Sequence, residues 1–243
     1  MMKIIQKMAD KTKDHMHHEG VTIAFLGDSV TQGCFEVFKK QDGHSETIFD
    51  KRHSYERYVF DILSVLFPMV TVNMINAGIS GDQATHGAER VGSHVIRHQP
   101  DLTVVCYGLN ECRNDERSVE IYVNALQEIF EKLKNCGSEI IFLTPNMMNT
   151  KVSDHTTEEK FIGIAKNTAA LQNNGTFEAH IEAARALCKE NRIPVCDCYA
   201  IWKRLYESGV DTTELLANKI NHPTREMNQL FAYELVRTMF EVE

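Results

Sequence analysis

The sequence lacks the motifs that bind nucleotides or structural zinc. Neither Gly-x-Gly-x-x-Gly nor a Walker loop follows any predicted strand, which argues against nucleotide or dinucleotide chemistry. The short clusters at 15–18 (His-Met-His-His) and 196–198 (Cys-Asp-Cys) have no second ligand pair at zinc-site spacing. We therefore expect no metal and no other cofactor.

Positive charge and long apolar runs are also scarce. The 243 residues carry 26 Lys and Arg against 34 Asp and Glu, a net charge of −8, which disfavours binding to nucleic acid. Residues 1–20 alternate charged and apolar side chains, which is typical of neither a secretory signal nor a membrane span. Seven cysteines, an odd number, indicate reduced thiols. We expect a cytoplasmic protein with no nucleic-acid or membrane partner.

Length and composition fit one α/β domain. Hydrophobic residues make up 43% of the chain and charged residues 25%, close to average globular usage. We expect a single domain over residues 1–243, in which residues 1–20 form an N-terminal helical cover. The sequence does not predict the oligomeric state.

Strands and helices alternate along the chain. The predicted strands are 21–27, 70–75, 102–107, 139–143 and 193–196. The predicted helices are 4–18, 54–67, 83–98, 117–136, 157–190 (as one kinked helix or two), 199–207 and 224–240, and 34–53 is predicted to be an exposed loop. This alternation predicts a three-layer, flavodoxin-like α/β fold with a five-stranded parallel sheet in the order 2-1-3-4-5.

A serine lies where the first strand ends, in Gly27-Asp28-Ser29. The carboxyl edge of a parallel sheet is where ligands bind in α/β folds, so Ser29 is a candidate nucleophile. The same tripeptide is also ordinary turn chemistry, because Asp and Ser both cap helices. In the predicted strand order, the loops at Ser29, Gly78 and Asn110 lie on one edge.

A serine nucleophile requires a base and donors for the oxyanion. His222 is the candidate base, because it lies in a loop just before the last helix and is followed by Pro223. The candidate oxyanion donors are the Ser29 N–H, the Gly78 N–H and the Asn110 side-chain amide. Taken singly, Gly78 also fits a plain turn and Asn110 a helix cap.

Together these motifs resemble the SGNH, or GDSL-type, hydrolase superfamily. The matching blocks, in order, are Gly27-Asp28-Ser29, Asn76-Ala77-Gly78, Gly108-Leu109-Asn110-Glu111 and His222. The resemblance covers residues 21 to 243 and implies a flavodoxin-like fold and hydrolysis of a small-molecule ester without a metal. Carried over by position, it implies Ser29 as nucleophile, Gly78 and Asn110 as oxyanion partners, and His222 as base.

Two residues depart from the family pattern. Glu111 stands where the third block usually has Asp, a change that we expect to affect loop support. Lys219 stands three residues before His222, where the family usually has Asp, and a cation cannot orient an imidazole or stabilise imidazolium. We expect a main-chain carbonyl, such as that of Lys219, to hold Nδ1; the alternative is an acid from elsewhere, with Asp211, Glu214 and Asp197 as candidates.

Three functions fit these residues. We expect a serine esterase that removes a small acyl group, such as acetyl, from a carbohydrate or other small molecule, because no stretch resembles an apolar lid. The alternative is a small-molecule-binding protein that has lost the catalytic acid, and a third is a phosphate or cofactor binder. Asp28, Asp82 and Arg90 are expected to support the site, the last two as an ion pair.

Overall fold

A parallel sheet of five strands occupies the centre of the computed structural model, which describes residues 1–112, 115 and 117–241. The strands in chain order are β1 (Val21–Gly27), β2 (Cys34–Lys39), β3 (Ser45–Phe49), β4 (Val72–Gly78), β5 (Leu102–Cys106), β6 (Glu139–Leu143) and β7 (Val195–Cys196). The central sheet has the order β4-β1-β5-β6-β7, whereas β2 and β3 form a separate antiparallel hairpin. Counted along the chain, the five central strands have the order 2-1-3-4-5, and the predicted fold is confirmed.

Helices cover both faces of the sheet. They are α1 (Lys3–Lys13), α2 (Ser29–Gln32), α3 (Tyr55–Leu66), α4 (Ala84–His94), α5 (Ser118–Asn135), α6 (Glu159–Asn173), α7 (Thr176–Asn191), α8 (Cys198–Glu207) and α9 (Arg225–Glu241), with a 3₁₀ turn at Ile96–His98. None of the helices in the described residues is long and apolar enough to span a membrane.

Successive residues of β1 face opposite layers, as the pleat of a strand requires. Ile23 and Phe25 belong to a core shared with α1, α3, α8 and α9, whereas Ala24 and Leu26 belong to a core shared with α4 and α5. Because both faces of β1 are buried, its sequence is a nearly continuous apolar run.

The N-terminal helix packs onto the first of these cores. Ile4, Ile5 and Met8 of α1 are buried, and the Glu139 carboxylate accepts hydrogen bonds from the N–H groups of Lys3 (2.9 Å) and Ile4 (2.8 Å). These N–H groups lie in the first turn and have no partner within the helix. The helix ends at Lys13, earlier than the predicted residue 18.

Segment 34–53 differs from its predicted structure, and segment 157–190 shows which of two predicted structures it adopts. Segment 34–53, predicted to be a loop, contains the β2–β3 hairpin; a change of register between Cys34 and Val37 removes the alternation by which a strand is recognised. Segment 157–190 forms two helices, because the chain breaks at Gly175, whose φ is 83°.

The strand register brings the ends of β1, β4 and β5 to the same level. Gly27 lies opposite both Gly78 of β4 and Cys106 of β5. The segments that follow these three strands therefore share one edge of the sheet, where α2 begins with Ser29.

Gly78 allows α2 to lie directly on the end of β4. A Cβ at this position would be 2.3 Å from the Gln32 backbone nitrogen and 2.7 Å from the Thr31 carbonyl carbon. These are backbone atoms, which cannot rotate away as a side chain can.

We predict that Gly78→Ala lowers the free energy of unfolding by about 1–3 kcal/mol, because the added methyl group must displace the backbone of α2. Urea unfolding measures the change. Gly92→Ala in α4 is the matched control, because a Cβ there meets nothing within 4 Å, and helix propensity favours Ala. Equal stability of the two variants would contradict the prediction.

Candidate active site

Ser29 and His222 are in hydrogen-bond contact. Ser29 is the first residue of α2, two residues after the end of β1, and His222 lies in the loop before α9. The Ser29 Oγ is 3.0 Å from the His222 Nε2, and the two residues are only 4% and 6% exposed. The fold thus brings together two of the residues predicted from the motifs, although they are 193 positions apart.

The other nitrogen of His222 is held by a main-chain carbonyl. The Nδ1 is 2.8 Å from the carbonyl oxygen of Phe35 in β2. Because a carbonyl only accepts, Nδ1 carries a proton and donates it, which leaves the lone pair of Nε2 to accept from the Ser29 hydroxyl. The Phe35 carbonyl therefore selects the tautomer that a general base beside Ser29 requires.

Neither predicted orienting group, the Lys219 carbonyl or the Asp211 carboxylate, holds Nδ1. Lys219 extends its ammonium to the Glu214 carboxylate (2.9 Å), and Asp211 pairs with Lys151 (2.6 Å). The prediction of a main-chain carbonyl therefore named the wrong residue. The hairpin that carries Phe35 lies 187 residues away in sequence, so local spacing could not reveal it.

Asp197 and Glu214, the other two candidate acids, have different partners. The Asp197 carboxylate pairs with Arg185 (2.7 Å) and caps the N-terminus of α8. Glu214 also accepts a hydrogen bond from the Ser153 hydroxyl (2.6 Å). These contacts occupy both carboxylates away from His222.

The backbone around His222 is held by Asn218, which the sequence did not single out. The Asn218 Oδ1 accepts the backbone N–H of Ile220 (3.0 Å), Asn221 (2.9 Å) and His222 (2.9 Å). The Asn146 side chain donates to the carbonyl of Asn221 (2.9 Å). An asparagine four residues before the histidine is the sequence signal for this loop, because Asn side chains commonly bind nearby backbone groups.

The Gly78 N–H, a predicted oxyanion donor, is already used. It donates to the Oδ1 of Asn76 (3.0 Å). In the turn that follows, the N–H groups of Ile79, Ser80 and Asp82 also have acceptors, at 3.1, 2.7 and 3.1 Å. Within the described part of the chain, the N–H of Gly81 has no acceptor, and it is the better candidate in this turn. Gly78 instead serves the close packing of α2.

The Asn110 amide lies at the same edge of the sheet. Its Nδ2 is 2.9 Å from the Asp82 carbonyl oxygen and 3.4 Å from the Asp28 Oδ2. Asp28 itself accepts the backbone N–H of Val30 at 3.0 Å and so fixes the turn of the nucleophile. One hydrogen of the amide is thus firmly bound, and the other makes only a long contact.

Asp82 and Arg90 form a nearly buried ion pair that joins the strand ends. The Arg90 Nε lies 2.8 Å from the Asp82 Oδ2, and the Tyr107 hydroxyl donates to the same oxygen at 2.8 Å. The guanidinium also donates to the carbonyls of Ala77 (2.6 Å) and Gly27 (3.0 Å). Arg90 therefore links the ends of β4 and β1 beneath the site.

Burial sets the ionisation of three groups at this edge. It raises the pKa of Asp28 to about 8, so this carboxyl group favours the protonated form at neutral pH, and it raises the pKa of Glu111 to about 7, so the two forms of that group are about equally populated there. Burial also lowers the pKa of His222, although the hydrogen bond to Phe35 opposes the effect. His222 is therefore neutral at neutral pH, as a base must be.

A cleft of about 420 Å³ opens at His222. The hairpin contributes Val37 and Thr47 to its wall, and α6 contributes Phe161 and Ile164. The amide side chains that line it are Asn110, Asn167, Asn218 and Asn221. The cleft thus combines apolar walls with hydrogen-bonding groups.

Comparison with known proteins identifies the family of the chain. The model of the GDSL-like Lipase/Acylhydrolase family matches residues 25–230. The chain belongs to this family. The resemblance inferred from the motifs is confirmed, and the protein is a carboxylic ester hydrolase of the GDSL type.

The relatives include acetylxylan esterases. An acetylxylan esterase of Geobacillus stearothermophilus is 24% identical over 166 residues, which are 64% of this chain and 74% of the relative. The structure of a catalytic mutant of the Geobacillus acetylxylan esterase Axe2, in which an aspartate is replaced by alanine, has a TM-score of 0.68 and 18% identity and covers 92% of this chain and 96% of that one.

A gut microbial diltiazem-metabolizing enzyme, BT4096, has a TM-score of 0.67 at 18% identity. The match covers 91% of this chain but only 47% of that one, so the chain spans about half the length of this neighbour. At these identities, the structural matches show a shared fold.

We predict that the protein loses stability as the pH rises through about 7, the pKa of Glu111. Between the ordinary Glu value of about 4.3 and that pKa, the folded state holds a proton that the unfolded state has released, so the free energy of unfolding falls with rising pH. Glu111→Gln, which removes this titration, should make the dependence less steep in urea unfolding; the slope that remains belongs to Asp28, whose raised pKa of about 8 acts with the same sign.

The control is Glu128→Gln, on the exposed face of α5, which should keep the wild-type pH dependence. The same slope in all three proteins would contradict the assignment of this titration to Glu111.

Proposed function

We propose that Ser29 and His222 act as a catalytic dyad that removes a small acyl group, such as acetyl, from a carbohydrate or other small-molecule ester. The observation that carries the proposal is the position of the His222 imidazole. It bridges the Ser29 Oγ (3.0 Å) and the Phe35 carbonyl oxygen (2.8 Å) within hydrogen-bond distance of both.

The first step follows from this geometry. Nε2 of neutral His222 takes the hydroxyl proton as the Ser29 Oγ attacks the carbonyl carbon of the ester. The imidazolium then gives this proton to the leaving alcohol oxygen, and an acyl group remains on Ser29. Water, deprotonated by the same nitrogen, then attacks the acyl carbon; the bond from this carbon to the Ser29 Oγ breaks, the imidazolium returns the proton to Oγ, and the carboxylic acid leaves.

The oxyanion of each tetrahedral intermediate needs donors at the edge of the sheet. We assign it to the N–H of Ser29, which has no partner within α2, the N–H of Gly81, and the Asn110 amide hydrogen whose contact with Asp28 is long. Asp28 favours its neutral form near neutral pH, so it does not repel a negative charge that develops beside it.

The Phe35 carbonyl performs only part of the task of a catalytic carboxylate. It fixes the tautomer and the orientation of His222, but its partial negative charge stabilises imidazolium less than a full charge would. The dyad therefore relies on orientation, which a buried hydrogen bond of 2.8 Å supplies.

The substrate class is inferred from the cleft and from the relatives. Two amide groups of the cleft suit the hydroxyl groups of a carbohydrate: the carboxamide of Asn167, which has no partner within the described residues, and the Nδ2 of Asn221, whose oxygen already accepts from Asn218 (2.9 Å). The Geobacillus relative is an acetylxylan esterase. The volume of about 420 Å³ accommodates a sugar ester with a short acyl chain.

The alternative function is binding without hydrolysis. It is favoured by Lys219, which occupies the position where an acid is expected, and it predicts a cleft that binds an ester but leaves it intact. A fluorophosphonate distinguishes the two functions, because it modifies only an activated serine. Covalent labelling of Ser29 supports the esterase, and the absence of labelling supports the binding protein.

We predict that Ser29→Ala lowers kcat for p-nitrophenyl acetate by at least about 10³-fold, because the acyl acceptor is lost. Lys219→Ala is the matched control. Its ammonium contacts Glu214 and not His222, so kcat should stay near that of the wild type. Equal rates for Ser29→Ala and the wild type would overturn the assignment of the nucleophile.

We also predict an acid limb in kcat/KM below about pH 6.5, the ordinary pKa of His. The base must be neutral, so activity falls as the pH falls through the pKa of His222 in the free enzyme, which burial lowers. A pH–rate profile with p-nitrophenyl acetate measures the midpoint. A midpoint above the ordinary value would contradict the assignment.

A further inference from the structure

The carbonyl that holds His222 belongs to an element with little support of its own. Phe35 lies in β2, which among the described strands pairs only with β3 and not with the central sheet. An isolated two-stranded hairpin is at best marginally stable in water. The position of the Phe35 carbonyl therefore depends on what fixes the hairpin to the rest of the protein.

A bulge directs this carbonyl out of the hairpin. Cys34 pairs with Phe49 and Val37 with Thr47, so Phe35 and Glu36 together face the single residue Ile48. In a bulge of this kind the extra residue leaves the ladder and the strand bends. The Phe35 carbonyl lies in this irregular stretch and accepts the hydrogen bond of His222 at 2.8 Å.

Arg225, the first residue of α9, contacts β2 at the bulge and the residue that directly follows β3. Its guanidinium donates to the two carboxylate oxygens of Glu36 (2.6 and 3.1 Å) and to the Asp50 carboxylate (2.8 Å). Its central carbon lies 4.4 Å from the centre of the Phe35 ring. Only the planar fork of arginine provides two-pronged binding and ring stacking at once.

Asp50 closes the base of the hairpin as well. Its backbone N–H donates to the Gly33 carbonyl at 2.8 Å, and its carboxylate also accepts from His53 at 2.8 Å. Arg225 therefore contacts the bulge through Glu36 and the base of the hairpin through Asp50. Both acids have lowered pKa values because they bind Arg225, so they stay charged over the working pH range.

We propose that Arg225 is a positioning residue: it clamps the β2–β3 hairpin so that the Phe35 carbonyl stays on the Nδ1 of His222. The inference rests on the proposed dyad and extends it. Arg225 lies three residues after His222. One short segment therefore carries both the base and the arginine that holds the Phe35 carbonyl beside this base. The Phe35 carbonyl, held by this clamp, performs the orienting task that a carboxylate at position 219 would perform.

The test compares Arg225→Met with the wild type. Loss of the clamp lets the carbonyl move, and a small misplacement of a catalytic group costs up to about 10²-fold in rate. We expect kcat for p-nitrophenyl acetate to fall by about tenfold or more. Arg225→Lys, which keeps the charge but not the planar fork, should recover part of the loss.

The matched control is Arg237→Met. Arg237 lies on the same helix and also contacts two acids, Glu234 and Glu241, but at the exposed end of α9 away from the hairpin. It should leave kcat unchanged. Glu36→Gln serves as a second, milder variant should Arg225→Met fail to fold, and it should lower kcat in the same direction.

An NMR measurement that does not depend on catalysis distinguishes loss of positioning of His222 from general destabilisation of the protein. In protein labelled with ¹⁵N-histidine, the Nδ1–H of His222 should exchange slowly with solvent in the wild type, and its resonance is assigned by its absence from His222→Asn. Arg225→Met should lose this resonance, whereas Arg237→Met should retain it.

The outcomes are distinct. Loss of the resonance together with reduced kcat supports the clamp. Retention of the Nδ1–H resonance in Arg225→Met overturns it, whether or not kcat falls, and so does an unchanged kcat. If Ser29→Ala proves fully active, the proposed dyad fails, yet the resonance still decides whether Arg225 holds the hairpin on His222.

Discussion

The hydrogen bond between the His222 Nδ1 and the Phe35 carbonyl is the contact on which the site depends. It joins the loop before the last helix to a hairpin near the start of the chain, and it places the opposite nitrogen on Ser29. A buried imidazole without this acceptor would leave a polar N–H unsatisfied or turn to the other tautomer. The three segments therefore form one unit, although each is distant from the others in sequence.

The sheet supplies the fixed frame for this unit. Because Gly27, Gly78 and Cys106 end at the same level, Ser29, the turn through Gly81 and Asn110 emerge at one edge. The Asp82–Arg90 pair ties β1 to β4 by binding the carbonyls of Gly27 and Ala77. Little of this frame can move without displacing buried hydrogen bonds, whereas the hairpin that carries Phe35 lies outside the central sheet.

The sequence predicted the sheet and its order because buried parallel strands and amphipathic helices have local periodicities. It also indicated Ser29 and His222, since short motifs mark the ends of strands and the loop before the last helix. It could not indicate Phe35, because every residue has a main-chain carbonyl and the bulge hides the strand that presents it. The sequence suggested Gly78 as an oxyanion donor, but the structure shows that its N–H already donates to the Asn76 side chain. This contact depends on the local backbone conformation, which the sequence motif does not reveal.

The most direct test of the account weakens the Phe35 carbonyl and changes no side chain. Incorporation of the α-hydroxy analogue of glutamate at position 36 turns the Phe35–Glu36 amide into an ester, whose carbonyl is a poorer acceptor. If that carbonyl orients His222, kcat for p-nitrophenyl acetate should fall by about fivefold, the equivalent of about 1 kcal/mol of hydrogen bond. An ester-substituted protein with the kcat of the wild type would show that another group orients the base.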